Sequence, residues 1–138
     1  MTAPCFVDTN LLVYADDRSA GAKREVALKL LLRLVREGSG VLSLQVLQEY
    51  FAAATKRLRI PPEDARRRVV IFGGFDTVVL GVEDLLAAID LHRLHSLSIW
   101  DSLIVRAAIV GGCRTLYTED LQHGRRFEGL EIVNPFAA

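Results

Sequence analysis

Cys5-Phe6-Val7-Asp8-Thr9-Asn10 is a short apolar run that stops at a carboxylate and then meets a polar residue suited to opening a helix. That pattern predicts a buried strand with Asp8 at its carboxyl end. Leu11, Leu12 and Tyr14 continue the segment as a helical turn that serves either the core or a contact surface. Downstream, Val26, Leu28, Leu30, Leu31, Leu34 and Val35 alternate with Lys23, Arg24, Lys29, Arg33 and Arg36 at amphipathic helix spacing between Ala22 and Glu37, and Gly38-Ser39-Gly40 ends it. A brief Val41-Leu42 strand then leads to Ser43, a good N-cap, and to a helix whose expected core stripe is Leu44, Leu47, Phe51, Ala54 and Leu58.

The same alternation repeats through the second half. Pro61-Pro62 opens a helix running toward Gly73-Gly74, Thr77 to Leu80 reads as a β-branched strand, and Val82 to His95 is helical. Ser98 caps a helix from Trp100 to Val110, and Thr115-Leu116-Tyr117 and Glu131-Ile132-Val133 form the last strands. Strands alternating with helices favour right-handed crossovers and a parallel sheet covered on both faces, so the expected fold is a three-layer α/β/α domain. Open parallel sheets bind ligands beyond the carboxyl ends of their strands, near the switch in strand order, where Asp8 and the segment after Tyr117 would arrive.

Composition narrows the rest. With 138 residues, 51% of them hydrophobic and 25% charged, the chain is expected to form one domain over 1–138. A formal net charge of +0 supplies no global attraction to nucleic acid, so a polyanion must be met by a local patch or through a metal. Lys56, Arg57, Arg59 and Arg66 to Arg68 are the candidates for that patch, against a plain solvated surface. Cys5 and Cys113 lack zinc or CxxC spacing and read as buried structural thiols. No stretch approaches the roughly 18 apolar residues of a membrane span and no basic, apolar leader opens the chain, which points to the cytoplasm and to no membrane partner. His92 and His95 stand at helical i,i+3 spacing and His123 lies near Asp120, but such a pair reads as a helix-end cation rather than a metal site, and no GxSxG turn surrounds a serine.

Four acids hold the chemistry: Asp8, Glu49, Asp101 and Asp120. Each alone has a structural reading. Asp8 suits a helix cap, Glu49 a solvated helix surface, Asp101 a capping box with Ser98, and Asp120 a first-turn aspartate, with Glu119 competing for its position. Brought to one sheet edge, they would be costly to bury unless a hard cation joined them.

The segments that carry these acids are Phe6-Val7-Asp8-Thr9-Asn10, Ser43 through Tyr50, Leu97 through Ile104, and Leu116-Tyr117-Thr118-Glu119-Asp120-Leu121. In this order, over nearly the whole chain, they resemble the PIN-domain nucleases, and in particular the VapC-type toxins of bacterial toxin-antitoxin pairs. The resemblance implies a PIN-like domain hydrolysing RNA phosphodiester bonds with Mg2+, or Mn2+ as a substitute. It implies that Asp8, Glu49, Asp101 and Asp120 are the catalytic and metal-binding residues, with Asp8 and Asp101 the direct ligands and Asn10 positioning Asp8. It further implies a cognate antitoxin and a homodimer. Trp100 departs from the pattern, since that position is often a smaller aromatic in similar chains. Two other readings stand beside this one: a phosphate-handling α/β domain using Asp8 as phospho-acceptor, and a metal-independent protein-interaction module whose acids are structural.

Overall fold

The computed structural model describes residues 3–137. Its elements run β1 (Cys5–Val7), α1 (Thr9–Asp16), α2 (Ala22–Glu37), β2 (Gly40–Ser43), α3 (Leu44–Lys56), α4 (Pro62–Phe72), β3 (Asp76–Val78), α5 (Val82–His95), α6 (Ile99–Val110), β4 (Thr115–Tyr117), β5 (Arg126–Phe127) and β6 (Leu130–Val133). The strands form one sheet in the order β3-β2-β1-β4-β6-β5. All pairings are parallel except β5 with β6.

The chain winds outward from β1 to β2 and β3, then returns to β4 on the opposite side of β1. The switch in strand order thus falls between β1 and β4, whose register pairs Val7 with Tyr117. Hydrogen bonds carry this pairing past the strand ends: Asp8 N–H donates to the Tyr117 carbonyl at 3.0 Å, and Thr118 N–H to the Val133 carbonyl at 3.1 Å. Asp8 and Thr118 are therefore fixed side by side at the carboxyl edge, where a doubly wound sheet leaves its crevice.

Burial on both faces explains the near-continuous apolar character of the central strands. Phe6, Val7, Leu42, Leu116 and Ile132 are fully buried, each worth about 1.5–3 kcal/mol relative to exposure. Helices flank the sheet: α1 packs on α2 and α3, α3 on α4, and α5 on α6, which lies against β2 and β4. Leu11 and Leu12 are wholly buried, so α1 contributes to the core.

Three local expectations differ from the structure. The buried face of α3 is Val46, Leu47, Tyr50 and Ala54, while Leu44 and Phe51 are exposed. The face is turned because Tyr50 reaches inward to donate its hydroxyl to Asp16 and meets the Phe72 ring edge-on. The third strand is Asp76–Val78 rather than Thr77 to Leu80, since only Asp76, Thr77 and Val78 pair with β2. The two-residue β5 is too short to leave a periodic signal.

Cys5 and Cys113 are free and buried, and burial pushes the Cys113 thiol up to about 12. They are inert apolar packing groups. Among the described residues no helix is long and apolar enough to cross a membrane.

Candidate metal centre

Asp8 caps α1, and its two oxygens are divided between two donors. Thr9 N–H donates to Oδ1 at 2.7 Å, and the buried Thr118 hydroxyl donates to Oδ2 at 2.7 Å. The capping reading is therefore correct as geometry, yet it leaves a buried carboxylate without a cation. Burial pushes the Asp8 carboxyl up to about 7 against the downward pull of the Thr118 and Thr9 hydrogen bonds, and the charges of Asp120 and Glu49 push the same way as burial.

The other three acids gather around it from separate elements. Glu49 on α3 accepts the Thr9 hydroxyl at 2.8 Å and the Gln45 amide at 3.3 Å. Asp101 stands in the first turn of α6, where its N–H donates to the Ser98 hydroxyl at 3.0 Å. Among the described residues the return bond from its carboxylate to the Ser98 amide is not made, so Ser98 caps the helix and the carboxylate remains at the cleft. Asp120 follows β4; its N–H donates to the Thr118 hydroxyl at 3.1 Å. Asp8, Glu49, Asp101 and Asp120 line one cavity of about 440 Å3.

Asn10 does not hold Asp8. Its amide donates to Asp120 Oδ2 at 3.1 Å, and the residues that hold Asp8 are Thr9 and Thr118. The helical phase of α1 explains the exchange, because Asn10 lies one residue beyond the capping amide and projects toward the neighbouring loop. Thr118 is the member the sequence pattern did not single out; its only local signal is a threonine directly after a strand and two residues before an acid.

Glu119 belongs elsewhere. It forms an ion pair with Lys23 at 2.8 Å and accepts the Tyr14 hydroxyl. Burial pushes its carboxyl up, but the Lys23 and Tyr14 hydrogen bonds outweigh this and leave it below its ordinary value. Asp120 shows the opposite balance: burial raises its carboxyl, the Asp101 and Glu119 charges add to that, and hydrogen bonding to Asp8 and Asn10 only partly opposes it. Asp101 is likewise raised, by burial and then by the Glu49 charge, against its Ser98 contact.

This contrast defines the electrostatics. Asp16, Asp84 and Glu119 each have an arginine or lysine partner, at 2.8, 3.0 and 2.8 Å. Among the described residues Asp8, Glu49, Asp101 and Asp120 form no ion pair. Four hard oxygen donors, with burial raising the Asp8, Asp101 and Asp120 carboxyls and no ion pair to any of the four among the described residues, fit a divalent ion such as Mg2+ or Mn2+. Among the described residues no three of them form a ready-made metal cage.

The basic residues separate into two groups. Lys56 and Arg57, at the end of α3, line the acidic cavity. Arg67 and Arg68 are paired with Asp64 and Asp16, and Arg66 lines an apolar groove with Leu44, Phe51 and Val69. Of the expected patch, Lys56 and Arg57 line the acidic cavity, whereas Arg59 and Arg66 to Arg68 do not. The histidines have structural settings: His92 Nδ1 contacts the Leu97 carbonyl, His95 packs edge-on against Phe127, and His123 Nδ1 accepts Asn134 N–H at 3.0 Å.

The PIN domain family model matches residues 5–127, a span that contains all four acids. The chain belongs to the PIN domain family. Among proteins of curated function, none matches the sequence. Solved structures with the same fold include a toxin-antitoxin complex from Klebsiella pneumoniae, at 18% identity and a TM-score of 0.71 over 97% of this chain and 99% of that one. Mycobacterium tuberculosis VapC20, a sarcin-ricin loop cleaving toxin, is similar at 16% identity and a TM-score of 0.65 over 84% and 89% of the two chains. VapBC2 from Rickettsia felis, bound to a DNA fragment from its promoter, is similar at 20% identity and a TM-score of 0.66 over 93% and 96%. As a PIN domain, the chain places its cavity at the strand-order switch, and the acids come from the junction of β1 and α1, from α3, from α6 and from the loop after β4.

Proposed function

We propose that this PIN domain is a metal-dependent endoribonuclease acting as the toxin of a toxin-antitoxin pair. The observation that carries the chemistry is the set of four acids sharing one cavity, none of them in an ion pair among the described residues. The kinship in fold to a sarcin-ricin loop cleaving toxin and to toxin-antitoxin assemblies supports RNA as substrate and an antitoxin as partner.

In this reading Asp8 and Asp101 hold the ion directly, and Glu49 and Asp120 complete the site directly or through water. A bound Mg2+ or Mn2+ supplies an activated water and offsets charge on the scissile phosphate. Everything else is done by the chain. Thr9 N–H and the Thr118 hydroxyl hold Asp8 in one orientation, the Thr9 hydroxyl and Gln45 orient Glu49, and Asn10 orients Asp120. Such supporting bonds are what keep a carboxylate site in productive geometry. Lys56 and Arg57 attract the flanking phosphates that a neutral chain would not otherwise draw. The cleft contains no side-chain nucleophile that the reaction requires.

The test is cleavage of a structured-RNA pool by purified protein with Mg2+ or Mn2+. Cleavage that disappears with chelator and in Asp8→Asn supports the proposal, whereas metal-independent cleavage, or cleavage surviving Asp8→Asn, overturns it.

A further inference from the structure

Trp100 stands next to Asp101, yet 63% of it is exposed. A large aromatic ring left in water beside a cleft is an unused contact surface, since burying such a side chain removes 150–250 Å2 from solvent. Its placement is controlled. Gln45 donates to the Trp100 carbonyl at 3.3 Å and to Glu49 at 3.3 Å, so one amide links the tryptophan's backbone to the acid set.

Trp100 and Gln45 line two cavities at once: the acidic one, and a neighbouring one of about 230 Å3. The second has apolar walls from Val79, Leu80 and Leu103, and the exposed Gln48 supplies an amide. It contains no lysine or arginine, so it is unsuited to phosphate. Flat apolar faces with hydrogen-bonding edges are the property of a nucleobase. Lys56, the last residue of α3, and its C-cap Arg57 stand at the opposite end of the cleft, about 16–18 Å from Gln45 at 1.5 Å per residue. The cleft is therefore polarised, with phosphate-attracting groups at one end and an aromatic platform at the other.

From this we propose that Trp100 stacks an unpaired nucleobase flanking the scissile phosphate, with Gln48 reading its edge. The proposal rests on the nuclease reading for its phosphate position. A paired base keeps its faces within the duplex, whereas a loop base can be splayed onto an aromatic side chain. Trp100 would thus determine specificity, and it is placed outside the acid set.

Trp100 is the sole tryptophan, so its fluorescence reports this contact directly. The full chain, kept in chelator to prevent cleavage, is titrated with a short mixed-sequence single-stranded RNA and with a blunt duplex of the same sequence. Saturable quenching by the single strand but not the duplex is expected. By anisotropy of labelled RNA, Trp100→Ala weakens single-strand binding roughly 5- to 150-fold, and Trp100→Phe restores most of it. Both variants keep the wild-type circular dichroism and melting temperature, because the ring is exposed. Unchanged emission at saturating RNA, equal binding by Trp100→Ala, or an emission shift that tracks protein concentration alone would overturn the proposal, the last by identifying a self-association surface. Failure of the nuclease reading is separable: it shows as absent RNA cleavage with Mg2+ or Mn2+, whatever the fluorescence does.

Discussion

Replacing Asp8 with asparagine separates a metal ligand from a helix cap, because the two roles predict stability changes of opposite sign. The side chain is only 5% exposed, and its carboxyl is pushed from 3.8 up to about 7, foremost by burial. The folded chain thus holds this proton more tightly than the unfolded chain. Its contribution to stability is fully present below pH 3.8 and is lost as pH rises through about 7. Linkage between those values makes the ionised group destabilising by about 4 kcal/mol at pH 8 and about 2 kcal/mol at pH 5.5. Asparagine caps helices as well as aspartate does, and it carries no charge. Metal-free Asp8→Asn should therefore be more stable than wild type by up to about 4 kcal/mol at pH 8, with the gain roughly halved at pH 5.5. Urea denaturation in chelator at the two pH values measures this. Added Mg2+ should raise the stability of the wild type, by about 2.7 kcal/mol at a hundredfold excess over Kd, and leave the variant unmoved. An asparagine variant that is less stable than wild type by similar amounts at both pH values would refute the reasoning and make Asp8 a structural cap.

Two further predictions address the substrate path and the scaffold. Lys56→Ala/Arg57→Ala should lower the slope of log affinity against log salt for single-stranded RNA by about 1.4, while Arg66→Ala leaves it unchanged, as measured by anisotropy titrations over a salt series. Gly40→Ala should destabilise the fold by about 1–3 kcal/mol in urea, since a Cβ there would meet the Phe75 ring at 2.3 Å; unaltered stability would show that the ring yields freely.

The parts of the molecule written in short-range patterns were readable before the structure. Cys5-Phe6-Val7 is apolar because β1 is buried on both faces, and Ser43 and Ser98 cap α3 and α6 as expected, accepting Val46 N–H at 3.3 Å and Asp101 N–H at 3.0 Å. The four acids were singled out individually, but their separation from bland helix and turn residues depends on long-range pairing. Nothing local to Glu49 shows that Thr9, 40 positions earlier, will donate to it. The same reason explains Glu119 and Asp120. They are adjacent in sequence, and only the arrival of Lys23 and Tyr14 from α2 and α1 removes Glu119 from the cleft. Helical phase was the other source of error. A wide apolar face on α3 admitted two registers, and the Tyr50 hydroxyl contact with Asp16 selected the one that leaves Leu44 and Phe51 outside. Within the arginine run, the Arg67–Asp64 pair is local at i,i+3 spacing, whereas Arg68 pairs with Asp16 of α1, 52 positions earlier, which nothing in the local sequence shows.

The central claim is that Asp8, Glu49, Asp101 and Asp120 together hold a divalent cation, and it is tested most directly by titrating Mn2+ into the protein and following free ion by electron paramagnetic resonance. Asp101→Asn, a substitution at a half-buried position in the first turn of α6 that leaves the Ser98 cap intact, should weaken binding at least about tenfold. Equal Mn2+ affinity in the wild type and Asp101→Asn, or no binding by the wild type at pH 8, would contradict it.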